Sequence, residues 1–425
     1  MSEHHKFRYL LPPGNNFHFV RKFKYWLIAS FVLMAASIGS LFVNKAVRGE
    51  YMNWTIDFKG GTEIIYAFKD KTTGELTKVD PGTVRKALEK AGEHGVELSD
   101  YTYTEDTPKG EVSVHGLMVR TGRFSALTDQ QREKAVADFM AKFKDRDIGK
   151  ATWSGDRLFV RSMKPITNAE AAPVFAANGL ELKAWSPKEE DQYSHADEGT
   201  GEYNAVFAMW GLDRQYAKIL ESSLDNTQVL SQQSYGVGAK AGAKLRDDAA
   251  KSIIYAIFLI MLYLAFRFDI RYAPGAAFAT IHDAIMVVGV FAVTWTEVSL
   301  TSVAGLLTVI GYSVNDTVIV FDRIRENQFK LKDKKLERII DLSINEMLVR
   351  TILTSATVFA TTLVMNIFGE GLVKNFAFAM NIGVIVGTYS SIFLAAPVFL
   401  YISRKWYSGP PKRRRGVPAA AEPTP

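Results

Sequence analysis

Long apolar runs alternate with polar segments along this chain of 425 residues. Six runs approach or exceed the length that a helix needs to cross a bilayer, about 20 residues. They cover residues 26–43, 252–266, 274–295, 300–321, 351–368 and 372–402. A long polar block, 44–248, separates the first run from the second. The pattern predicts a polytopic α-helical membrane protein with six transmembrane helices and a large domain between helices 1 and 2.

The first run could be an uncleaved membrane anchor or a secretory signal. The polar flank before it, residues 1–25, is long, and no small-x-small cleavage pattern follows it, since the next residues are Asn44, Lys45 and Ala46. A secretory signal normally ends in such a pattern. We therefore interpret residues 26–43 as an uncleaved first transmembrane helix.

Lysine and arginine are concentrated in residues 1–25, in the loop 322–350 and in the tail 403–425. The short connections 296–299 and 369–374 carry almost none. Because basic loops stay on the cytoplasmic side, both termini and the loop 322–350 are predicted to be cytoplasmic and the domain 44–248 extracytoplasmic. Residues 330–350 have an amphipathic pattern that predicts a helix along the cytoplasmic interface. The basic tail 403–425 is expected to be disordered.

Strand and helix patterns recur along the polar block. Alternating apolar residues predict strands at 63–68, 96–104, 112–120, 157–163, 181–185 and 203–210. Helical spacing and capping residues predict helices at 80–92, 128–144, 168–178 and 212–224. The stretch 187–202 is predicted to be a loop. Together these elements predict an α+β domain or two tandem lobes.

An acidic side chain lies inside the fourth apolar run. At 1.5 Å per residue, Asp316 is roughly 10 Å inward from the level of Arg323. A charged group at that depth costs about 2.5–3.5 kcal/mol on insertion scales, and it usually marks an ion pathway. Asp316 and its neighbour Asn315 are therefore candidates for a proton relay. Arg350 opens the fifth run at a similar predicted depth and is a candidate partner for Asp316.

The third run contains a weaker pair of relay candidates, His282 and Asp283. The alternative for all these polar residues is that they only hold helices together by hydrogen bonds. In the sixth run, Gly383 and Gly387 form a small-xxx-small pattern, which predicts close helix packing.

Several classes of chemistry have no support in the sequence. The chain has no cysteine, which excludes disulfides, thiolate metal sites and cysteine nucleophiles. No HExxH, GxSxG or P-loop motif occurs. The net charge of +6 comes largely from the two ends and one loop, which does not predict nucleic-acid binding. We therefore expect no enzymatic activity and no metal site.

Residues 311–327, GYSVNDTVIVFDRIREN, resemble the fourth-span signature of the SecF family of bacterial protein-export membrane subunits. Segments 57–62 (DFKGGT, with Asp57, Gly60 and Gly61), 237–245 and 343–351 resemble further motifs of that family, in the same order. His282 and Asp283 in the third run also fit the sequence pattern of that family. The resemblance covers the first helix and residues from about 230 to 405. The fourth-span signature begins at Gly311.

The resemblance implies a six-span half of the RND superfamily in the bacterial inner membrane. It implies a SecD-like partner, association with the SecYEG channel, and use of the proton-motive force, with no bound cofactor, to promote preprotein export. Asp316 would be the protonatable carboxylate and Arg350 its charged neighbour. The domain would be periplasmic. Family members usually have a smaller external domain, and the enlargement is expected at about 70–200.

Two other functions stay open from the residues. One is a half-size RND-type exporter of lipid or small molecules, which would need an apolar pocket in the external domain. The other is a non-transporting assembly scaffold, in which the buried charges only determine which helices pair.

Overall fold

The computed structural model describes residues 16–107, 110–184, 194–197, 199–369 and 371–406. Parts of the predicted N-terminal segment, of the predicted strand 181–185, of the predicted loop 187–202 and of the predicted tail lie outside these residues. The chain divides into two compact units. The membrane unit comprises the chain up to Trp54 and from Asp248 onward, and the polar unit is Thr55–Asp247.

Helices and strands are numbered here in chain order within the described residues. The helices are α1 Phe23–Arg48, α2 Ile56–Lys59, α3 Pro81–Lys90, α4 Asp129–Lys142, α5 Asn168–Ala177, α6 Leu212–Ser223, α7 Ala239–Arg267, α8 Ala273–Thr294, α9 Leu300–Lys330, α10 Leu336–Phe368, α11 Gly371–Ser390 and α12 Ala396–Trp406. The strands are β1 Gly61–Asp70, β2 Leu76–Thr77, β3 Glu97–Thr107, β4 Gly110–Thr121, β5 Ile148–Ser154, β6 Arg157–Ser162, β7 Ser194–Ala196, β8 Tyr203–Ala208 and β9 Thr227–Val237.

The described part of the membrane unit contains six helices long and apolar enough to cross a bilayer, which confirms that prediction. The sixth is continuous through α11, a π-helical turn at Ser391–Ala395 and α12. Helices α8, α9 and α11 bury the most surface, whereas α7 exposes side chains such as Phe258 and Leu259. Apolar side chains on an outer helix suit contact with lipid. The central three helices are therefore the ones that can hold a buried polar site.

The predicted loop 322–350 is wrong. Helix α9 continues to Lys330 and α10 begins at Leu336, so only 331–335 connects them. The separate amphipathic helix predicted at 330–350 is also wrong, because its residues from Leu336 onward run without a break into the fifth span. Residues 336–368 contain no glycine or proline, the residues that most often end a helix. Arg350 thus lies about four turns into α10 and does not open the helix.

The small residues of the sixth span allow α11 to approach α9 closely. A Cβ added at Gly383 would overlap the side chain of Val309, and one at Gly387 would meet Ser313 Cβ at 3.0 Å. The predicted close packing at both glycines is confirmed. Gly311 differs, because it is exposed and a Cβ there would meet nothing within 4 Å in this chain.

The polar unit contains two lobes. Lobe 1 has a five-stranded sheet, in which β3-β4-β1-β9 lie side by side and the short β2 pairs with the end of β1. Helices α3 and α6 cover one face through residues such as Leu88, Tyr216 and Leu220. Its chain order, β1-α3-β3-β4-α6-β9, is a ferredoxin-like βαββαβ arrangement. Within this order, lobe 2 is inserted between β4 and α6.

The DFKGGT segment opens lobe 1. Residues Ile56–Lys59 form one helical turn, and Gly60 and Gly61 follow it with φ of 80° and 123°. These values fall in the left-handed region that only glycine adopts easily. A Cβ at Gly60 would also lie 2.6 Å from Ala239 Cα. The predicted turn is therefore present, and its two glycines allow the backbone to pack closely against the start of α7.

Lobe 2 spans α4 to β8. Its sheet has the order β5-β6-β8-β7, and α4 and α5 cover one face around Phe139, Phe175 and Phe207. If the chain of lobe 1 were circularly permuted to begin at α3, its helices and strands would follow the same order as those of lobe 2. Residues 70–121 belong to lobe 1, so the second lobe occupies a narrower range than the enlargement expected at 70–200.

Most predicted elements of the polar unit are present within a few residues of their expected ends. The strand predicted at 181–185 is wrong for its described residues, where Leu182 makes only an isolated bridge to Met209. The backbone there pairs with β8 for too short a distance to form a strand, through Lys183 N donating to Ala208 O at 2.7 Å. Strands β5 and β9 were not predicted, because their residues do not alternate clearly between apolar and polar.

Candidate functional site

Asp316 lies in the interior of the membrane unit with 1% of its surface exposed. Ser355 of α10 lies 3.4 Å from its Oδ2 and is oriented to donate a hydrogen bond. Ser355 also accepts from Tyr312 at 3.0 Å and from Thr388 at 2.6 Å. A chain of hydroxyl groups from three helices thus leads to this carboxylate. The sequence did not single out Tyr312 or Thr388, since isolated hydroxyl residues are common in membrane helices.

Arg350, the candidate partner of Asp316, does not form an ion pair with it within this chain. In the described residues no lysine or arginine nitrogen lies within 4.0 Å of Asp316, and Arg350 is exposed. Arg350 instead lines a pocket of about 440 Å³ together with Asp322, Arg323 and Glu326. The carboxylate and the guanidinium therefore occupy neighbouring helices without an ion pair. A direct contact would require a rearrangement of the helices or of the Arg350 side chain.

The side chain of Asn315 lies on the outer surface of the helix bundle. It is exposed on α9, as are Gly311 and Thr308, and these positions recur at helical spacing. On α10, the residues Arg350, Thr354, Thr357 and Thr361 are exposed at the same kind of spacing. Polar and small residues on an outer face of membrane helices are unfavourable against lipid and are typical of helix contacts. We define these exposed positions of α9 and α10 as the polar stripe.

A second polar centre surrounds Asp283, which is fully buried. His282 Nδ1 lies 3.0 Å from Asp283 Oδ1, and Ser390 Oγ donates to Oδ2 at 2.7 Å. Ser313 Oγ also donates to Oδ2. The carboxylate thus joins α8, α9 and α11, directly before the π-helical turn. His282 Nε2 is buried, and no partner for it lies in the described part of the chain.

We expect Ser390→Ala to destabilise the helix bundle by about 1.5–3 kcal/mol, because a buried carboxylate loses one hydrogen-bond donor. The measurement is the thermal unfolding midpoint of the purified chain in detergent. Ser391→Ala is the matched control: Ser391 is equally buried, but its hydroxyl donates to the Thr388 carbonyl instead of Asp283. Equal midpoints for the two variants would contradict a structural role for the Ser390–Asp283 bond.

The polar groups around Asp316 and those around Asp283 are two separate clusters in the same helix bundle. Asp316 connects to α10 through Ser355, whereas Asp283 connects α8 to α9 and α11. Among the described residues, no group of three or more histidine and acidic side chains could hold a metal ion. The arrangement presents two buried carboxylates, each of which accepts hydrogen bonds from serine hydroxyl groups.

Comparisons with known proteins place this architecture in a family. A model described as "Protein export membrane protein SecD/SecF, C-terminal" matches residues 215–405. A protein translocase subunit SecF from Koribacter versatilis is 30% identical over 97% of this chain and 96% of its own length. This chain belongs to the SecF family of protein translocase subunits. Its role is therefore that of an accessory subunit of the Sec translocase, in a multi-pass membrane protein.

Two further comparisons cover less of the matched protein. A SecF from Gemmatimonas aurantiaca is 40% identical over 46% of this chain and 59% of its own length. A crystal structure of SecDF, a translocon-associated membrane protein from Thermus thermophilus, matches 92% of this chain with a TM-score of 0.55 and 25% identity. The match covers only 39% of the SecDF chain. The fold is shared over that part of the SecDF chain.

Proposed function

We propose that this chain uses the proton-motive force to promote preprotein export across a bacterial inner membrane, together with a SecD-like subunit and the SecYEG channel. It needs no bound cofactor, since the energy comes from proton movement, and it catalyses no covalent reaction. Asp316 is the residue that takes up and releases the proton. The test is whether proton movement and export fail together when Asp316 loses its carboxyl group.

The observation that carries this proposal is the burial of Asp316 without a cationic partner among the described residues. A residue that served only to join helices would be fully paired, as Asp283 is by its three neighbours. Asp316 has one hydroxyl donor at 3.4 Å. Adding or removing one proton there changes a whole charge in a poorly solvated place, so it can favour one helix arrangement over another.

The energy available is sufficient for such a change. One proton crossing a potential of 100 mV releases about 2.3 kcal/mol. A bias of that size shifts a two-state equilibrium roughly 50-fold, since each 1.4 kcal/mol is a factor of ten. Such a bias is large enough to favour one arrangement of the membrane helices over another.

The polar stripe supports a SecD-like partner. Arg350, Asn315 and the exposed threonines of α10 would be unfavourable against lipid tails, and a second helical subunit would cover them. We propose that the partner packs on this stripe, and that Arg350 acts at the contact between the two subunits. Gly311, which has free space at its Cα in this chain, would allow a helix of the partner to approach closely.

The proposed orientation has both termini and the 331–335 connection in the cytoplasm and the polar unit in the periplasm, as the distribution of basic residues favours. Because the chain lacks cysteine, single cysteines can report this directly. A membrane-impermeant maleimide should label Thr73→Cys in cells with a permeabilised outer membrane. It should label Lys334→Cys only after the inner membrane is opened. The reverse pattern would show that the orientation is inverted.

A further inference from the structure

A pocket of about 440 Å³ opens at one end of the membrane unit, between the last turns of α7 and the adjoining parts of α9 and α10. Its charged lining residues are Arg267, Asp322, Arg323, Glu326 and Arg350. Arg267 is the last residue of the apolar helix α7, so the pocket lies at the level where lipid headgroups meet the protein. In the proposed orientation this is the cytoplasmic end of the spans.

The two carboxylates of the pocket are already neutralised by basic side chains of the same helix. Asp322 pairs with Arg325 at 2.9 Å. Glu326 pairs with Arg323 and with Lys330, both at 2.6 Å. The acidic part of the lining therefore has little charge left to offer a ligand.

Two arginines of the pocket have no such partner. Among the described residues, no carboxylate oxygen lies within 4.0 Å of a guanidinium nitrogen of Arg267 or Arg350. Both side chains are exposed, and the Arg267 Cζ lies 5.6 Å from the centroid of the Phe268 ring. A guanidinium group presents N–H donors in a planar fork that matches two oxygens of a phosphate. The pocket therefore has spare positive charge of the kind that binds phosphate esters.

The rest of the lining is apolar or aromatic. It consists of Tyr263, Phe268, Val318, Ile319 and Met347. A free phosphate has no group that gains from contact with such side chains, whereas a lipid has a glycerol backbone and acyl chains beside its phosphate. The combination of charge and apolar surface therefore suits an amphiphilic ligand.

Helix α7 leaves the pocket accessible from the bilayer. Within residues 243–267, all of which the structure describes, Leu264 is the one buried residue. It packs in the apolar cluster that contains Val320 and Ile324 of α9, so the last turn of α7 anchors this helix. Further along α7, side chains such as Phe258 and Leu259 are exposed and suit contact with lipid. A lipid molecule beside α7 can therefore reach the pocket.

We propose that this pocket binds the headgroup of an anionic phospholipid. The phosphodiester contacts Arg267 and Arg350, and the glycerol and first acyl carbons lie against Ile319 and Met347. Basic pockets between membrane helices on the cytoplasmic side are typical sites for such headgroups. Arg267 lies on the lipid-facing α7 and outside the polar stripe, which favours a lipid over a side chain of a partner subunit. The proposal does not depend on proton movement at Asp316.

The first test compares two lipids with the same acyl chains and different headgroup charge. Dioleoylphosphatidylglycerol is anionic, and dioleoylphosphatidylcholine has no net charge. Native mass spectrometry of the full-length chain in detergent should show at least about tenfold tighter binding of the first lipid, because charged hydrogen bonds are the stronger ones. Equal binding of the two lipids would overturn the role of the arginines.

The second test removes one arginine. Arg267→Gln should lose at least about tenfold in affinity for phosphatidylglycerol, since glutamine carries no charge. Arg404→Gln is the matched control, because Arg404 also lies at the end of a span but pairs with Glu337 and does not line the pocket. Arg267→Lys keeps the charge and should bind the lipid more tightly than Arg267→Gln, which a general folding defect would not produce. An equal loss in Arg267→Gln and Arg404→Gln would overturn the assigned position.

The third test locates the lipid in vesicles. The chain has no cysteine, so a bimane fluorophore can be attached at Tyr263→Cys, which lines the pocket, or at Tyr255→Cys, which does not. Both tyrosines lie on α7, with 57% and 62% of their surface exposed. As a minor component, brominated phosphatidylglycerol should quench the fluorophore at the first position more strongly than brominated phosphatidylcholine does. At the second position the two should quench equally. The same preference at both positions would show only a diffuse attraction.

Two further outcomes would identify a different occupant. Glycerophosphoglycerol has the same headgroup without acyl chains, and we expect it not to displace the lipid at equal concentration. Displacement would show a site for a soluble phosphate ester, and the lipid assignment would be wrong. If co-purification with a SecD-like partner protects bimane at Tyr263→Cys, but not at Tyr255→Cys, from both brominated lipids, the partner fills the pocket. That result would also overturn the lipid assignment.

Discussion

Replacement of Asp316 with asparagine is expected to reduce proton-dependent preprotein export to the level of cells that lack this chain. Asparagine has nearly the same size and can still accept the hydrogen bond from Ser355, so the bundle should stay folded. It cannot take up or release a proton in the physiological range. The measurements are secretion of a reporter preprotein and proton flux through membrane vesicles containing the complex.

Asp322→Asn is the matched control for this experiment. Asp322 lies on the same helix, but its side chain is 57% exposed and accepts a hydrogen bond from Arg325 at 2.9 Å. We expect this change to leave export and proton flux within twofold of the unchanged chain, because exposed ion pairs contribute little. Unchanged export and flux in Asp316→Asn would contradict the proton-relay role.

The same variant separates the alternative functions. If Asp316→Asn still purifies with a SecD-like partner but no longer supports export, a pure assembly scaffold is excluded. A half-size exporter of lipid or small molecules would not bring a SecD-like partner through purification, and it should bind a hydrophobic ligand in its membrane part. Co-purification of the unchanged chain therefore tests the partner, and the variant tests the proton.

The second large effect is expected for Phe139→Ala in lobe 2. Phe139 is fully buried, and its ring lies 4.8 Å from Phe143, 5.6 Å from Phe175 and 5.3 Å from Phe207 between ring centroids. Truncation of a buried phenylalanine costs about 3–5 kcal/mol, since it removes contacts and leaves a cavity. That amount is a large fraction of the stability of a small lobe. We expect lobe 2 to become sensitive to trypsin in the full-length chain.

Met140→Ala is the control on the same helix, because Met140 is 37% exposed and should cost less than about 1 kcal/mol. Lobe 1 has its own core around Tyr66, Phe68 and Leu117, so it should stay protected in Phe139→Ala. Simultaneous cleavage of both lobes would show that the inserted lobe is required for the folding of lobe 1.

The spans were predictable because each depends on its own residues. A helix in lipid satisfies its backbone groups internally, so the apolar runs determine where the chain crosses. Helix caps were local in the same way: Asp80 accepts from Thr83 N at 2.9 Å, and Thr128 forms a capping box with Gln131. The end of a helix was harder to predict. The continuation of α9 to Lys330 runs through charged residues that form ion pairs with each other, such as Glu326 with Lys330 at 2.6 Å.

Strand β9 shows the opposite case. Its exposed stretch of serine, glutamine and glycine carries no clear period-2 signal, and it becomes a strand because β1 offers ten paired positions along its length. The sequence allowed two tandem lobes, but it did not show that the second lobe is inserted between β4 and α6 of the first. Contacts between distant residues decide such features, and no short window of sequence contains them.

The sequence by itself determined the six spans, the polar unit between the first two, and the presence of an acidic residue deep in the fourth span. Depth along a helix follows from residue count, since each residue advances a fixed 1.5 Å. The tertiary structure decided which side chains meet. Matching depth made Arg350 a candidate partner for Asp316. The rotation of α10 about its axis instead brings Ser355 to the carboxylate and turns Arg350 outward. Helix rotation depends on packing against α9 and α11, and packing is a property of the assembled bundle.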